Sequence, residues 1–368
     1  MENLVAMQSI NWRMKMSEAL ATKYRPQTWD DVTEQESTKI ILQNQIQTGE
    51  IKNAYLFVGS AGTGKTTCAR IFANEINKGL GNPIELDAAS NNGVDDVREI
   101  IQQAKKKSLD SEYKIFIIDE CHALSNNAWQ AFLKLIEEPP AKSIFIFATT
   151  DPQKIPKTIL SRVQRYDFQR ISQFGIVQRL KWICDNEGIT RYSDNGNKPD
   201  SNYADTSAIE YIAKLADGGC RDAITMLDKC LAYSKDLTLE NVIKALGTVD
   251  YIQMVELAQH MVYKYEDSPE KVVEIIEGIH TSGKDLKQFI SQYMRFILDV
   301  NKYGVGCDAK YLTIPMTKEI QDFLNDLEDD GYTRLELILD MLVRLKADIK
   351  YSQSVKYDVE VMLLLYMR

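Results

Sequence analysis

The stretch GSAGTGKT at 59–66 sets glycines, a lysine and a threonine at the spacing G-x-x-x-x-G-K-[ST]. Gly59, Ser60, Ala61, Gly62, Thr63 and Gly64 would form a loop. Its backbone can wrap close to phosphate oxygens, because glycine has no Cβ and tolerates positive φ. Lys65 is placed to reach the β- and γ-phosphates of a nucleoside triphosphate, and the Thr66 hydroxyl to ligate Mg²⁺, with Thr67 completing the first turn of a helix. IFIIDECH (115–122) supplies acids at the end of an apolar run. Asp119 would hold the metal through water. Glu120 would polarise an attacking water, which needs a carboxylate beside the γ-phosphate. His122 reads as a packed or capping histidine rather than a catalytic one. In SIFIFATTDP, Thr149 or Thr150 could bond the γ-phosphate or the water, and position favours Thr150. These residue types together point to ATP and Mg²⁺.

The elements that must carry these residues alternate. AYLFV (54–58), IELDA (84–88), KIFIID (114–119) and SIFIFAT (143–149) read as strands. Helical periodicity opens at Lys65 and recurs at 94–107 and 126–138. The last of these places Trp129, Phe132, Leu133 and Ile136 on one face and stops at Pro139 and Pro140. Continuous apolar strands between amphipathic helices predict an α/β fold with a parallel sheet covered on both sides. Beyond about residue 170 no strand is expected. Short helices fill 171–248, with 185–206 as a polar loop, and longer helices fill 249–368. Four regions follow: an N-terminal extension (1–22), an α/β core (23–170), a small helical lid (171–248) and an all-α domain (249–368). Within the extension, either Met16 is a second start or Asn11 to Met16 form a short disordered or partner-binding arm.

Composition excludes several classes. A net charge of −9 argues against a surface coated in basic patches, though not against one local basic stripe. The six cysteines form no C-x-x-C pair, so neither zinc nor a disulfide framework is expected. The longest apolar runs fall short of the ~20 residues a membrane helix needs, and no signal peptide is legible, so a cytoplasmic protein is expected. In VDDVREIIQQAKKK (94–107), Val94, Val97, Ile101 and Ala104 make one helical face and Arg98, Gln102 and Lys105 another.

KYRPQTWDDV (23–32), GSAGTGKTT (59–67), DAASNNGVDDVRE (87–99), IIDECHALSNNAWQAFLKLIEEPP (117–140), ATTDPQKIPKTILSRVQRYDF (148–168) and GGCRDAITMLDK (218–229) follow one another in this order. Together they resemble the clamp-loader ATPases of the AAA+ superfamily, in particular the gamma/tau type of bacterial DNA polymerase III. The resemblance implies a pentameric assembly of clamp-loader subunits that places a sliding clamp on primer–template DNA. It makes Arg162, in the Ser161–Arg162 pair, an arginine finger for the γ-phosphate on the adjacent subunit. It makes Arg221 a sensor reaching the γ-phosphate from the lid, and sets Tyr24, Arg25 and Pro26 along the adenine. The 94–107 helix would line the inside of a spiral, with Ser90, Asn91, Arg98, Gln102 and Lys105 on DNA phosphates. The 249–368 region would be a collar. Val361, Leu363, Leu364 and Leu365 in its last helix would serve as subunit interface or as core, with core the default.

The pattern departs from the family in two places. A four-cysteine zinc module usual between the loop helix and the second strand is absent, since ANEINKGLGNPIELD (73–87) bridges the gap. No long extension follows the collar, which suits a phage or mobile-element loader as well as a chromosomal one. Two alternatives stand beside the loader. One is another AAA+ remodeller, such as a helicase loader or branch-migration motor, but no DNA-reading module is legible in 249–368. The other is a subunit that binds ATP without hydrolysing it, but Lys65, Thr66, Asp119, Glu120, Arg162 and Arg221 are all present.

Overall fold

A computed structural model describes residues 18–106, 108, 110–189, 191–193, 203–246, 251–308, 311–314 and 318–368. Most of the N-terminal extension and the middle of the 185–206 segment lie outside the described residues. The chain divides into two compact units after Gln169.

The first unit holds α1 (Leu20–Lys23), α2 (Glu36–Thr48), β1 (Ala54–Val58), α3 (Lys65–Ile76), β2 (Ile84–Asp87), α4 (Val94–Ala104), β3 (Lys114–Asp119), α5 (Asn126–Glu137), β4 (Ser143–Thr149), α6 (Lys157–Leu160) and β5 (Gln164–Asp167). The strands form one parallel sheet in the order β2-β3-β4-β1-β5. Side chains alternate between the two faces of a strand, and both faces are buried here. Leu56, Phe116, Ile118, Phe145 and Phe147 pack beneath Val97, Ile100, Trp129 and Phe132 of α4 and α5. Tyr55, Phe57, Ile117 and Ile146 pack beneath Leu42 of α2 and Cys68, Phe72 and Ile76 of α3. This double burial is why the central strands read as unbroken apolar runs.

Three expectations need correction, and one strand is not legible in the sequence. The segment after Arg162 is a strand, β5, paired with β1 from Tyr55↔Gln164 to Val58↔Asp167. It lies at the sheet edge and shows Arg165 and Asp167 to solvent, so it lacks the apolar run of its neighbours. Strands also do not end at 170, because β6 (Arg191–Ser193) and β7 (Tyr203–Asp205) pair in parallel within the segment read as loop. In α4 the buried positions are Val97, Ile100 and Ala104, while Val94 and Ile101 are half-buried. In α5 Leu135 is buried and Leu133 only half-buried.

In the second unit, α7 (Gln173–Asn186), β6, β7, α8 (Thr206–Leu215), α9 (Cys220–Tyr233) and α10 (Leu239–Leu246) precede α11 (Tyr251–Tyr263), α12 (Ser268–Thr281), α13 (Leu286–Gly304), α14 (Lys318–Asp326), α15 (Asp329–Asp348) and α16 (Val355–Met367). The core of the last six centres on Phe289, Ile290, Tyr293, Phe296, Leu342 and Leu363. The buried Asp299 carboxylate of α13 accepts bonds from the Thr313 amide (2.6 Å), the Ile314 amide (3.1 Å), the Thr313 hydroxyl and Lys302 Nζ (2.7 Å). A buried charge needs such compensation, and the result ties the 311–314 segment to the helix. Of the four α16 residues read as interface or core, Leu363 is core and Leu364 half-buried, while Val361 and Leu365 are exposed.

Phe147 is wholly buried between Trp129 and Phe132. Phe147→Ala is expected to destabilise the first unit by about 3–5 kcal/mol. Val361→Ala should stay within about 0.5 kcal/mol. Denaturant midpoints at unchanged slope check both.

Candidate nucleotide site

Ligands of open parallel sheets sit beyond the carboxyl ends of the strands, and three such ends converge here. The 59–64 loop leaves β1, Asp119 and Glu120 end β3, and Thr149 and Thr150 end β4, which lies between the other two. The loop needs its glycines. Gly62 has φ 71° and Gly64 φ 99°, a region that other residues enter only with strain. At Gly59 a Cβ would stand 2.6 Å from the Phe168 carbonyl oxygen. The Gly59 amide donates to Thr149 O (3.2 Å) and the Phe168 amide to Val58 O (2.7 Å), fixing the loop's root across β4, β1 and β5. Ser60 and Ala61 are exposed at its tip, and the Thr63 side chain is buried with its hydroxyl donating to Ser60 O at 2.8 Å.

Lys65 opens α3 and is buried. Its Nζ donates to Gly59 O (2.9 Å) and Ser60 O (2.8 Å). Burial pushes its ammonium below the ordinary lysine value, and the carboxylates of Glu120 and Asp119 oppose that shift. Thr66, next on the helix, donates its hydroxyl to Asp119 Oδ2 at 2.7 Å. Two hard oxygens joined in this way fit Mg²⁺, which takes a few protein oxygens and keeps several waters. Thr67 is half-buried in the same turn. Among the described residues there is no cluster of three or more His, Cys, Asp or Glu side chains poised to hold a metal.

Glu120 is held in the left-handed region at φ 46°. Strain of this kind persists only where the surroundings enforce it. Its amide donates to Asp119 Oδ1 (3.0 Å), and its carboxylate Oε2 lies 3.2 Å from His122 Nδ1 and accepts from Thr150 Oγ1 at 3.3 Å. His122 Nδ1 is also 3.2 Å from Thr149 Oγ1. Thr149 is buried and accepts from the Asp151 amide at 3.0 Å. Thr150 therefore stands beside the acid, and Thr149 caps the following turn.

Sequence reasoning missed Gln35. It precedes α2 at φ 65° and its side chain is buried. Its Nε2 donates to Gln169 O (2.7 Å) and Thr63 O (3.4 Å), and its Oε1 accepts from the Gln169 amide (3.1 Å). One amide thus ties the phosphate loop to the segment after β5. No local pattern marks such a residue, because its partners are backbone groups far along the chain.

The other expected residues stand on other elements. Tyr24, Arg25 and Pro26 are half-buried directly after α1, and Lys23 Nζ lies 5.0 Å above the Tyr24 ring. Arg98, Gln102 and Lys105 are exposed along α4, and Arg98 pairs with Asp95 at 2.7 Å. Ser90 donates to Asp87 Oδ2 (3.1 Å) and Asn91 to Asp87 O (3.1 Å) in the turn before that helix. A groove of ≈ 760 Å³ runs between α4 and α5, lined by Arg98, Lys105 and Lys134 among others. Arg221 is exposed in the first turn of α9 in the second unit, after Gly218 at φ 84°.

Arg162 is not in the cluster. It follows α6 and precedes β5, whose first residue pairs with Tyr55 early in β1. The glycine loop begins after Val58, at the other end of that strand. At ~3.3 Å per residue, three strand residues alone separate the two by roughly 10 Å.

With this geometry in view, a family model described as "DNA polymerase III, delta subunit" matches residues 82–172. The chain is 37% identical over 308 residues to DNA polymerase III subunit tau of Bacillus subtilis (strain 168), covering 78% of this chain and 52% of that protein. It is 33% identical to the tau subunit of Escherichia coli (strain K12), covering 72% and 42%. It is 29% identical to DNA polymerase III subunit gamma of Buchnera aphidicola subsp. Acyrthosiphon pisum (strain APS), covering 94% and 97%. The chain is a homologue of the DNA polymerase III gamma and tau subunits. It spans about half the length of the tau relatives. Among solved structures, a point mutant of RuvB from Thermotoga maritima superposes with TM-score 0.50 at 18% identity, over 66% of this chain and 81% of that one. That likeness shows a shared fold, a parallel sheet flanked by helices. Among the described residues, no helix is long and apolar enough to cross a membrane.

Gln35→Leu removes both ends of the buried tie and orphans the Gln169 groups. The expected cost is about 2 kcal/mol of stability, with weaker nucleotide binding by a loosened loop. Denaturant unfolding and titration with a fluorescent ATP analogue check the pair of effects.

Proposed function

We propose that the chain is an ATP-hydrolysing subunit of a clamp loader. Together with companion subunits it forms a pentameric spiral, opens a ring-shaped sliding clamp, sets it on primer–template DNA and releases it on hydrolysis. Homology to gamma and tau subunits over most of the chain supports this, as does the convergence of the glycine loop, Asp119, Glu120 and Thr150 at the strand ends.

On this reading the loop amides, the α3 N-terminus and Lys65 bind the triphosphate. Tyr24, Arg25 and Pro26 lie along the adenine. Thr66 and Asp119 would hold Mg²⁺, which would neutralise charge on the phosphate oxygens. Glu120 orients and deprotonates the attacking water, steadied by Thr150 and His122. Arg221 senses the γ-phosphate from a lid formed by 171–248, and 249–368 is the collar. Ser90, Asn91, Arg98, Gln102 and Lys105 follow DNA phosphates without reading sequence, so binding weakens as salt rises. The protein works in the cytoplasm.

The observation that carries the reading is the place of Arg162. It stands at the opposite edge of the sheet from the glycine loop of its own unit. An arginine there is useless to its own pocket and available to a neighbour's. A cation supplied in trans typically raises phosphoryl-transfer rates by ~10³–10⁵, and it makes hydrolysis conditional on assembly.

Lys65→Ala is expected to abolish nucleotide binding and clamp loading together. Arg162→Ala should keep ATP binding but lose stimulation by primed DNA and clamp, by roughly a thousandfold. Mixing the two inactive variants should restore hydrolysis, because an intact finger on one chain then faces an intact pocket on the next. A mixture as inactive as its components, in assemblies of normal mass, would remove the trans assignment.

A further inference from the structure

Glu137 is the last residue of α5, just before the Glu138-Pro139-Pro140 stop. It takes no part in the nucleotide site. The helix leaves the β3 carboxyl end at Asn126 and runs back to the edge where β4 begins at Ser143. There Glu137 Oε1 accepts from Arg162 Nη2 at 2.8 Å. The other amino group, Nη1, donates to the Thr158 carbonyl (2.8 Å) and to Ser161 Oγ (3.2 Å). The guanidinium is thus gripped by two elements: one side by the α6 turn that carries it, the other by α5. Arg162 remains 39% exposed and Glu137 43%.

An arginine side chain has many rotamers, and ordering it costs entropy at the moment of use. The α6 helix is four residues long and contacts only one amino group, so it fixes the base of the fork and not its direction. The second contact supplies the direction. We infer that Glu137 is a positioning residue for Arg162, holding the guanidinium ready for the triphosphate of a neighbouring chain; this rests on the trans reading above. Exposed ion pairs are weak. This one is too weak to withhold the arginine from a triphosphate, which carries several negative charges and strong acceptors. It orients the finger and does not lock it. Its removal should therefore lower the rate and leave nucleotide affinity alone, whereas a lock would make the rate rise.

The test uses the assembled complex with clamp and primed DNA, and chains that can act only in trans. The reference is a mixture of K65A chains, which supply the finger, with R162A chains, which supply the pocket. Glu137→Ala on the finger-supplying K65A chain is expected to lower kcat by roughly three- to tenfold at unchanged KM for ATP. The same substitution on the R162A chain, whose own finger is already gone, should add nothing. An E137A finger chain as fast as the reference, or faster, overturns the positioning role while leaving the trans finger standing. An equal loss with E137A on either chain also overturns it, because the residue then acts through folding. A reference mixture with no activity removes the trans reading and this inference with it. Half-exposed Glu137 tolerates alanine, and unchanged melting of the single variant verifies that the fold is intact.

Discussion

A lysine ammonium buried at the end of a parallel sheet is the constraint around which the first unit is built. Burial disfavours the charge on Lys65, and only nearby acceptors make it tolerable. The Gly59 and Ser60 carbonyls can turn onto Nζ because the loop's glycines admit a backbone that other residues resist. Asp119 and Glu120 add negative potential from β3, one strand beyond β4. Those carboxylates arrive at the right height only because β1, β4 and β3 are parallel and in register, ending together. The apolar sheet, covered on both faces, holds that register. A slip of one residue would turn every strand inside out.

The same parallel arrangement gives the unit two chemically different edges. The carboxyl edge gathers acids, hydroxyls and loop amides. The amino edge, where β5 starts and α5 ends, carries Arg162 and its partner Glu137. No movement of a side chain joins the two edges, because the length of β1 lies between them.

Much of this was legible in the sequence, for identifiable reasons. The loop, its lysine and the strand-end acids are local patterns, and local patterns survive without coordinates. β1, β3 and β4 were legible because burial on both faces demands unbroken apolar residues. β5 was not, since an edge strand has only one buried face, and Arg165 and Asp167 pair on the exposed one. β6 and β7 were hidden by polar residues and their shortness. On α4 the pattern pointed to Ile101, but the helix turns so that Ile100 is buried instead. Gln35 and Glu137 were invisible because each acts through a partner distant in sequence: a backbone amide 134 residues on for the first, a guanidinium on another element for the second. Arg162 was legible as a residue, but its separation from the glycine loop of its own unit lies in the register of β5 on β1, which no local pattern shows.

That register also bears on the form of the assembly. A two-fold dimer pairs a surface with itself, so it would set finger edge against finger edge and pocket against pocket. On the trans reading a finger must meet a pocket, and these lie on different surfaces of each chain. The contact is then head-to-tail. Repeated head-to-tail contacts give a closed ring or an open spiral and leave one finger and one pocket unmatched wherever the chain of subunits stops. On the trans reading, a sheet with its pocket at one edge and its arginine at the other therefore predisposes the chain to directional, head-to-tail contacts rather than a two-fold dimer.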